Sequence, residues 1–457
     1  MAMPLDVTLL LDNGDRKQVI IPVNDKFVKR ESQAIIAKPW FGWGNINDRY
    51  ILQLSLPSPV RSAIIDTSGR LADLNRLDNV SGFGVPVAWH FDNMKLTLPT
   101  LNKYDIWLRP SILYNARDGL KPGIHWTSNY LPSNYLQWWN VDFGLWYGPL
   151  SNQTGYQLEF HTPVQSLGRL TNFQIRSQVL EGREWHTLGF YGQSRKLLDS
   201  RPFYTYAASL HRNEMTNSAY LPSAQLWERG RQEFFRVSLG YSGQIMSGIY
   251  NIRGELENSL FDSDFSYSKS QFVLNGTLDL LPKITARYRV VSLISYGNPP
   301  VQRGWYIAGA SPADATEMNW MYRSTGTLSN ALRGNGHLNA GGGLNLRGYL
   351  NQETQISRGL AGNFEFGMPN PLTRWNNRWF RTGWYLFFDT GTYRTQVTHN
   401  LQVRSDGGTG FIFSFPWIPE SLGKYNLRLD FPVWVSRPVN GENTLAGRWL
   451  IGIGRSW

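Results

Sequence analysis

Residues 138–148 read "WWNVDFGLWYG", and this stretch decides the fold. In an extended chain, successive side chains point to opposite faces. One face then carries apolar side chains at every second position: Trp139, Val141, Phe143, Leu145 and Tyr147. The other face carries Trp138, Asn140, Asp142 and Gly144. A strand of this kind belongs either to a soluble β-sandwich with one wet face or to a transmembrane β-barrel.

The composition of the chain favours the barrel. Aromatic residues make up 14% of the 457 residues and include 19 Trp, yet the mean hydropathy is only −0.35. Barrels combine aromatic girdles with strands that alternate apolar and polar residues, which keeps the mean hydropathy low. No apolar run reaches about 18 residues, so a membrane-spanning helix is not expected. The absence of cysteine excludes a disulfide scaffold and a thiolate metal site.

Alternating segments recur along the chain from residue 104 onward, as in "YDIWLRPSILYN" (104–115). Their predicted starts lie near residues 105, 119, 135, 154, 168, 184, 201, 231, 246, 266, 283, 356, 380, 405, 423 and 445. The sequence therefore predicts an all-β fold, a 16-stranded antiparallel transmembrane barrel over residues 104–457. Connections after even-numbered segments are mostly short, whereas 214–230, 297–355 and 393–404 are long. This asymmetry is typical of short periplasmic turns and longer outer loops.

The front of the chain predicts a separate, small domain. Residues 1–83 are expected to form a β-sandwich-like periplasmic domain, joined to the barrel by a linker over residues 84–103. "DVTLLLDNGDRKQVIIPV" (6–23) gives two short strands around an Asn-Gly-Asp turn, a strong hairpin signal. The first fifteen residues lack the basic and apolar regions of a secretory signal, so an exported protein would correspond to a mature or truncated chain.

The long connection 297–355 contains "GGGLNLRGYL" (341–350), which ends its glycine run on Arg347. A flexible surface loop is one interpretation. A phosphate-binding loop is excluded, because no Lys-Ser or Lys-Thr pair follows the glycines. A guanidinium inside a narrow lumen is costly unless it is paired, and its planar fork matches carboxylates. Gly348 would let the tip of such a loop approach the barrel wall closely.

A sixteen-stranded barrel with a long loop between strands 11 and 12, tipped by Arg-Gly-Tyr (347–349), resembles the BamA/TamA/FhaC superfamily of bacterial surface-antigen barrels. Those proteins insert other proteins into the outer membrane or translocate them across it. The resemblance implies that the loop folds into the lumen and that its arginine meets acidic residues on the strands that follow. "GLAGNFEFGMP" (359–369) supplies Glu365, and "WYLFFDTG" (384–391), similar to the family's Phe-x-Asp-x-Gly motif, supplies Asp389. The predicted loop lock comprises Arg347, Gly348, Tyr349, Glu365, Asp389 and Gly391.

The last segment, "RWLIGIGRSW" (448–457), resembles the C-terminal β-signal that the assembly machinery reads on its clients. The residues expected to form the signal face are Trp449, Ile451, Ile453 and Trp457. Arg455 departs from the apolar residue usual at its position.

The N-terminal segment departs from this superfamily, whose members usually carry periplasmic polypeptide-transport repeats. "IIDTSGRLADLNRLDN" (64–79) instead resembles the closing β-domain of gluzincin aminopeptidase-like proteins. The His-Glu-x-x-His zinc helix of that family does not occur in this chain, and its seven histidines have no metal-ligand spacing. A catalytic half is therefore expected upstream in a longer natural chain, or not at all. No catalytic motif, no metal site and no cofactor are predicted for this chain.

Three functions remain open from the sequence. The first is a barrel that inserts or translocates protein clients; the second is a membrane anchor for an upstream or partner gluzincin-type metallopeptidase; the third is a passive outer-membrane pore. The expected location is the bacterial outer membrane, with the N-terminal domain in the periplasm and a monomeric barrel. The net charge of +11 suits lipopolysaccharide as an anionic partner, alongside protein clients or a periplasmic partner. Nucleic acid is not an expected partner, because no nucleic-acid-binding module occurs.

Overall fold

The computed structural model describes most of the chain. It covers residues 4–24, 33–41, 49–71, 76–81, 86–91, 103–129, 139–168, 170–194, 201–221, 224–245, 247–281, 284–318, 324, 337–349, 355–368, 381–397, 400–415, 426–438 and 441–453. The chain divides into two compact units, residues 1–109 with 125–142, and residues 110–124 with 143–457. The predicted boundaries at residues 83 and 103 stay a prediction.

The N-terminal residues form a five-stranded sheet in the order β3-β2-β1-β4-β5. Its strands are β1 (Leu5–Leu11), β2 (Arg16–Ile21), β3 (Ile35–Ile36), β4 (Val60–Ile65) and β5 (Val80–Ser81). The Asn-Gly-Asp turn joins β1 to β2, and Gly14 has a φ of 87°, a conformation that glycine adopts without strain. Val19, Ile21 and Ala37 form the core of this sheet. The described part of this region holds this one mixed sheet, in which β2 and β3 run parallel, and no second sheet packed against it.

The remaining strands form a closed barrel in which β23 is followed by β6 in the ring order. Its first strands are β6 (Val87–Phe91), β7 (Tyr104–Asn115), β8 (Gly119–Asn129), β9 (Asn140–Gly148), β10 (Gln153–Pro163), β11 (Leu170–Leu180), β12 (Arg183–Gln193), β13 (Phe203–Met215) and β14 (Arg231–Ile245). They are followed by β15 (Gly248–Ser259), β16 (Tyr267–Leu281), β17 (Ile284–Gly297), β18 (Trp305–Tyr306), β19 (Gln355–Met368), β20 (Arg381–Thr395), β21 (Gln402–Ser414), β22 (Asn426–Val435) and β23 (Leu450–Ile453).

Sixteen of these strands, β7–β17 and β19–β23, correspond to the sixteen predicted segments, which confirms the all-β barrel. Two short strands were not predicted. β6 lies in the stretch expected to be a linker and runs parallel to β7, and β18 lies in the long loop and pairs with β19.

Side chains in the barrel alternate as the sequence predicts. In β9, Leu145 and Tyr147 are exposed, whereas Trp146 is buried and its indole nitrogen donates to Ser111 Oγ at 3.0 Å. In β19, Leu360 is 52% exposed and its neighbour Ala361 only 2%. The exposed set therefore faces outward, and the buried set faces the lumen.

Loop lengths differ from the prediction on both sides of the barrel. After odd-numbered strands of the sixteen, loops 216–230, 260–266, 298–354 and 436–449 are long, but the turns 116–118, 149–152 and 181–182 are tight. The expected loop 393–404 shrinks to 396–401, because β20 and β21 extend into it. On the other side, 369–380 and 415–425 are long as well. The loop asymmetry is therefore carried mainly by 216–230 and 298–354.

Helix is scarce. Within the described residues, one short helix, α1 (Pro312–Met318), lies in the long loop, and single helical turns occur at Gln165–Leu167, Ser218–Tyr220, Ala224–Leu226, Val301–Arg303 and Arg347–Tyr349. In the part of the chain that the structure describes, no helix has the length and apolar character needed to cross a membrane.

Candidate functional site

The long loop 298–354 enters the lumen, and Arg347 is the centre of its contact with the barrel wall. Arg347 Nε donates to Asp389 Oδ2 at 2.7 Å and Nη2 donates to Asp389 Oδ1 at 3.0 Å. Nη1 donates to Glu365 Oε1 at 2.8 Å. A third carboxylate, Asp430 of β22, lies 3.8 Å from Nη1. The structure thus brings together the three charged residues that the sequence singled out, and adds Asp430.

The charge of Arg347 is held in a fully buried position, 0% exposed. Its guanidinium carbon lies 3.8 Å from the centre of the Phe387 ring, a cation–π contact that is strong where water is excluded. Burial by itself lowers the pKa of the Arg347 guanidinium, but the carboxylates, Asp389 first, outweigh it and hold this pKa above its ordinary value. Arg347 is therefore a permanent cation enclosed by acids.

Gly348 and Tyr349 seat the loop tip next to this arginine. A Cβ on Gly348 would lie 2.5 Å from Val435 Cγ1 and 2.7 Å from Asp406 Cβ, so only glycine fits there. The Tyr349 hydroxyl donates to the carbonyl of Ser405 at 3.1 Å. The tip is thereby packed against β21 and β22.

Gly391 plays a related role on the wall. A Cβ at Gly391 would meet Ala361 Cβ at 3.1 Å and Leu346 Cδ2 at 3.5 Å. Leu346 is fully buried in the core cluster between loop and wall. Gly391 of the "FFDTG" motif therefore lies against the loop side chain that precedes Arg347, and a methyl group at this position would crowd Ala361 on the wall rather than the loop.

Polar contacts also hold the backbone leading to the tip. Asn363 of β19, fully buried, donates through Nδ2 to the carbonyls of Leu344 and Asn345 at 3.2 and 3.1 Å. Arg289 of β17 donates to Asn363 Oδ1 and to the carbonyl of Gly343, both at 2.8 Å. These bonds satisfy carbonyls that would otherwise be buried without partners. Sequence reasoning did not single out either residue.

A second arginine, which was not predicted from the sequence, anchors the beginning of the same loop. Arg303 donates to Glu257 of β15 through Nε at 3.0 Å and through Nη2 at 2.7 Å. Arg236 of β14 donates to the same carboxylate at 2.7 Å. Arg303 lies 4.1 Å from the centre of the Phe234 ring, which repeats the stacking of Arg347 on Phe387.

The two anchors share a sequence pattern that makes the second one recognisable. The loop reads Arg-Gly-Trp at 303–305 and Arg-Gly-Tyr at 347–349. Each arginine meets a strand carboxylate and stacks on a phenylalanine ring of the wall. An internal repeat of Arg-Gly-aromatic was therefore the available signal. We call Arg303 and Arg347 the two loop anchors.

A third segment of the loop, His337–Asn339, lies along the last strand. Leu338 pairs with Ile451 in a parallel bridge, with the amide of Ile451 donating to the carbonyl of His337 at 2.7 Å. The His337 ring stacks on Trp449, with ring centres 3.7 Å apart. Of the predicted β-signal residues, Ile451 and Ile453 lie in β23, Trp449 precedes it, and Trp457 lies outside the described residues.

Charged contacts also fix the shorter loop 216–230 at the same end of the barrel. Tyr220 donates its hydroxyl proton to Asp118 Oδ1 at 2.6 Å. Asp118 also pairs with Lys121 at 2.8 Å and accepts from Asn115 at 2.9 Å. The side chain of Gln302 exchanges two hydrogen bonds with the backbone of Glu228, at 3.0 and 3.1 Å. The two loops are therefore joined to each other as well as to the wall.

The contacts at this site hold the loop against the barrel wall. The described residues contain no group of three His, Asp or Glu side chains arranged to hold a metal ion. The carboxylates of Glu257, Glu365 and Asp389 are each paired with a guanidinium group. The arrangement holds a polypeptide segment inside a barrel.

Comparisons with known proteins give a fold likeness. No family model and no curated protein matches the chain. Among solved structures, it is similar to BamA from Haemophilus ducreyi lacking POTRA domains 1–3, with 12% identity, a TM-score of 0.41, and coverage of 79% of this chain and 75% of that chain. It is also similar to OccK10 (OpdN) from Pseudomonas aeruginosa, with 9% identity, a TM-score of 0.29, and coverage of 71% and 90%. Both likenesses concern the fold alone.

Proposed function

We propose that the chain is a plugged barrel of the bacterial outer membrane that handles or holds proteins there, with its N-terminal sheet in the periplasm. Large apolar side chains exposed on the outer face support the membrane placement; they include Leu239, Phe272, Leu360, Phe366 and Leu386. Exposed apolar surface on this scale marks a surface that meets lipid or a partner. A closed barrel satisfies its backbone hydrogen bonds internally, as a lipid-facing chain must.

The single observation that carries the proposal is the pair of loop anchors. Arg303 fastens the loop to β15, and Arg347 fastens it to β19 and β20. Buried charges of this kind are costly unless they are paired, so a wall that supplies a carboxylate for each anchor is built around an occupied lumen. An occupied lumen argues against the passive pore.

The assignment to protein clients rests on the Arg-Gly-Tyr tip and the "FFDTG" strand, which resemble the BamA/TamA/FhaC superfamily. In this proposal the loop is the element that a client displaces or works against. The chain is then a non-enzymatic barrel, and the solvating lipid includes lipopolysaccharide.

The N-terminal sheet favours a second candidate, an anchor for a gluzincin-type metallopeptidase. Its motif residue Asp66 has a φ of 52° and accepts hydrogen bonds from the amides of Arg70 and Leu71, each at 2.9 Å. This turn gives residues 64–71 of the motif a defined local structure. The reading frame upstream of Met1 tests the form of this candidate in which the peptidase is encoded upstream, because that form requires a zinc helix there.

The test of the proposed function compares protein handling with solute flux in one strain. Depletion of the protein should lower the amounts of particular outer-membrane or surface proteins, while the uptake rates of small solutes stay unchanged. Purified barrel in planar bilayers should conduct weakly, and the Arg303→Ala, Arg347→Ala double variant should conduct more. A large, steady conductance of the parent protein, with slower solute uptake on depletion, would identify a passive pore instead.

A further inference from the structure

Two arginines lie opposite each other on the outer face of the barrel. Arg358 of β19 and Arg394 of β20 are direct cross-strand partners, and both are exposed. Outward orientation follows from the alternation. Leu360 is exposed two residues after Arg358, whereas Ala361, which follows Leu360, and Tyr393, which precedes Arg394, are buried. The pair lies close to the point where loop 298–354 enters β19.

An irregularity in the strand creates this arrangement. The register of β19 against β20 shifts between Ile356 and Arg358, so these two residues face opposite sides of the wall. Ile356 is fully buried in the loop core, whereas Arg358 is exposed. Such bulges re-aim side chains and are kept where they serve a purpose.

Like charges directly opposite each other on a sheet repel and destabilise it. Neither arginine makes an ion pair with a carboxylate in the part of the chain that the structure describes. The side chain of Arg358 contacts Tyr296. Arg358 Nη2 donates to the Tyr296 hydroxyl at 3.4 Å, and the guanidinium carbon lies 5.3 Å from the centre of the Tyr296 ring. Among the described residues, the pair therefore has no carboxylate as a counter-charge.

The barrel contains a matched pair in which the counter-charge is present. Arg212 of β13 is exposed on the outer face, and its direct cross-strand partner is Glu233 of β14, with Nε 3.8 Å from Oε1. Glu233 therefore supplies Arg212 with a carboxylate, which it shares with Arg231 at 3.6 Å, whereas the described residues supply none to the Arg358–Arg394 pair. The difference indicates that an external anion belongs between Arg358 and Arg394.

We propose that Arg358 and Arg394, with Tyr296 beside them, bind a phosphate group of lipid A in the outer leaflet; the lipid source rests on the membrane placement proposed above. Opposed residues in an antiparallel pair have Cα atoms about 4.5–5.5 Å apart, so two guanidinium forks can converge on one phosphate. The exposed apolar residues that follow along the same face, Leu360 and Phe366, would contact the acyl chains. Along β19, the charged pair is therefore followed by apolar residues, just as the headgroup of a lipid is followed by its acyl chains.

Native mass spectrometry of the detergent-purified barrel tests the proposal with lipid A as the probe. The parent protein should retain lipid A that carries both phosphates, and should lose it when the phosphates are removed. Arg358→Ala, Arg394→Ala should weaken retention by about tenfold or more, because charge-assisted bonds to phosphate are lost. Arg212→Ala is the control and should retain lipid A as the parent does.

A charge reversal sharpens the test. Arg394→Glu gives Arg358 the partner that Arg212 already has, so it should keep the barrel folded, judged by heat-modifiable migration, while abolishing lipid retention. Arg358→Lys, Arg394→Lys should retain lipid A only partly, because an ammonium lacks the planar fork.

Equal retention by the parent and the double alanine variant, or equal retention of phosphorylated and dephosphorylated lipid A, would overturn the proposal. Displacement of lipid A by inorganic phosphate at millimolar concentration would assign the site to a soluble anion, and a preference for phosphatidylglycerol would assign it to another lipid. Either result also refutes it. Because the measurement is made in detergent, its outcome is separate from conductance and from protein handling.

Discussion

Arg347 and Asp389 meet side by side in the lumen, joined by two hydrogen bonds of 2.7 and 3.0 Å between fully buried side chains. The bidentate geometry fixes both the position and the angle of the loop tip on β20, because a guanidinium donates to both oxygens of a carboxylate in one plane. Asp389 is held in turn by Asn363 Nδ2 at 3.1 Å. The loop tip is therefore positioned by a network that ends in the barrel wall.

Removing the charge of Arg347 should release the loop without unfolding the barrel. Breaking a buried ion pair costs about 3–5 kcal/mol locally, because the remaining carboxylates lose their cation. The strand ladder does not depend on this pair, so Arg347→Ala should keep heat-modifiable migration. Proteolysis within 298–354 should accelerate, and conductance in planar bilayers should rise or become noisy.

Two further variants separate charge from geometry at this anchor. Arg347→Lys should restore protease resistance only in part, since an ammonium cannot bridge both oxygens of Asp389. Asp389→Asn should resemble Arg347→Ala, and the double variant should add little, because both changes break one interaction. Single variants that keep the parent's protease resistance would refute the lock, and effects that sum would show that the two residues act separately.

The second anchor should behave as an independent fastening. Arg303→Ala should loosen the beginning of the loop, since among the described residues Glu257 then keeps Arg236 and Lys269 as its nearby cations. The anchors contact different strands and share no residue among these partners, so their effects should add. The double variant Arg303→Ala, Arg347→Ala should therefore show faster loop proteolysis than either single variant, measured as the cleavage rate of folded protein. A double variant no faster than Arg347→Ala would show that one anchor alone holds the loop.

The tip of the loop should not tolerate a methyl group at Gly348. Gly348→Ala places a Cβ within 2.7 Å of Val435 and Asp406, and overpacking of this kind costs about 1–3 kcal/mol. The tip should shift away from β21 and β22, and loop proteolysis should rise. Gly254→Ala is the matched control, because a Cβ there meets nothing within 4 Å. Equal protease resistance of both variants would contradict the tight seat.

Much of the fold was predictable from the alternation of apolar and polar residues within each segment. In a barrel strand, this alternation shows which face of the strand points outward. In β9, the exposure of Leu145 and the burial of Trp146 follow from two-residue periodicity alone. β6 was not predictable in this way, because it is a short strand beside β7, inside a stretch whose sequence "NRLDNVSGFGVPVAWHFDNMK" (75–95) is irregular.

The residues of the candidate site that lie in a recognisable motif were predictable from the sequence. Those whose contacts depend on the path of the loop through the lumen were not. Arg347 was found through its Arg-Gly-Tyr tip, and Glu365 and Asp389 through strand phase. Asp430 was missed because its nearness to Arg347 depends on how the loop crosses the lumen. Similarly, the stacking of His337 on Trp449 joins residues more than a hundred positions apart, and neither carries a motif for it.

The last prediction concerns acid, and it follows from Asp118 in the turn between β7 and β8. Burial tends to raise the pKa of this carboxyl, but hydrogen bonds from Lys121, Ser151, Tyr220 and Asn115 outweigh it and lower the pKa from 3.8 to about 2. A lowered pKa stabilises the folded arrangement above the ordinary pKa, and this stabilisation is lost as the pH falls through the lowered value. The bond from Tyr220 should therefore hold loop 216–230 in place at neutral and mildly acidic pH.

We expect this loop to stay docked down to about pH 3.8 and to become mobile as the pH falls toward 2. The chain has no cysteine, so Ser218→Cys provides a unique site for a fluorophore whose anisotropy reports loop mobility. Asp118→Asn should lower the anisotropy at neutral pH and remove the drop between pH 3.8 and 2, because the amide neither ionises nor attracts Lys121. Tyr220→Phe, which removes only the hydroxyl, should lower the anisotropy at neutral pH while Asp118 keeps its bond to Lys121. An anisotropy profile that is the same for the parent and Asp118→Asn would show that other groups hold the loop.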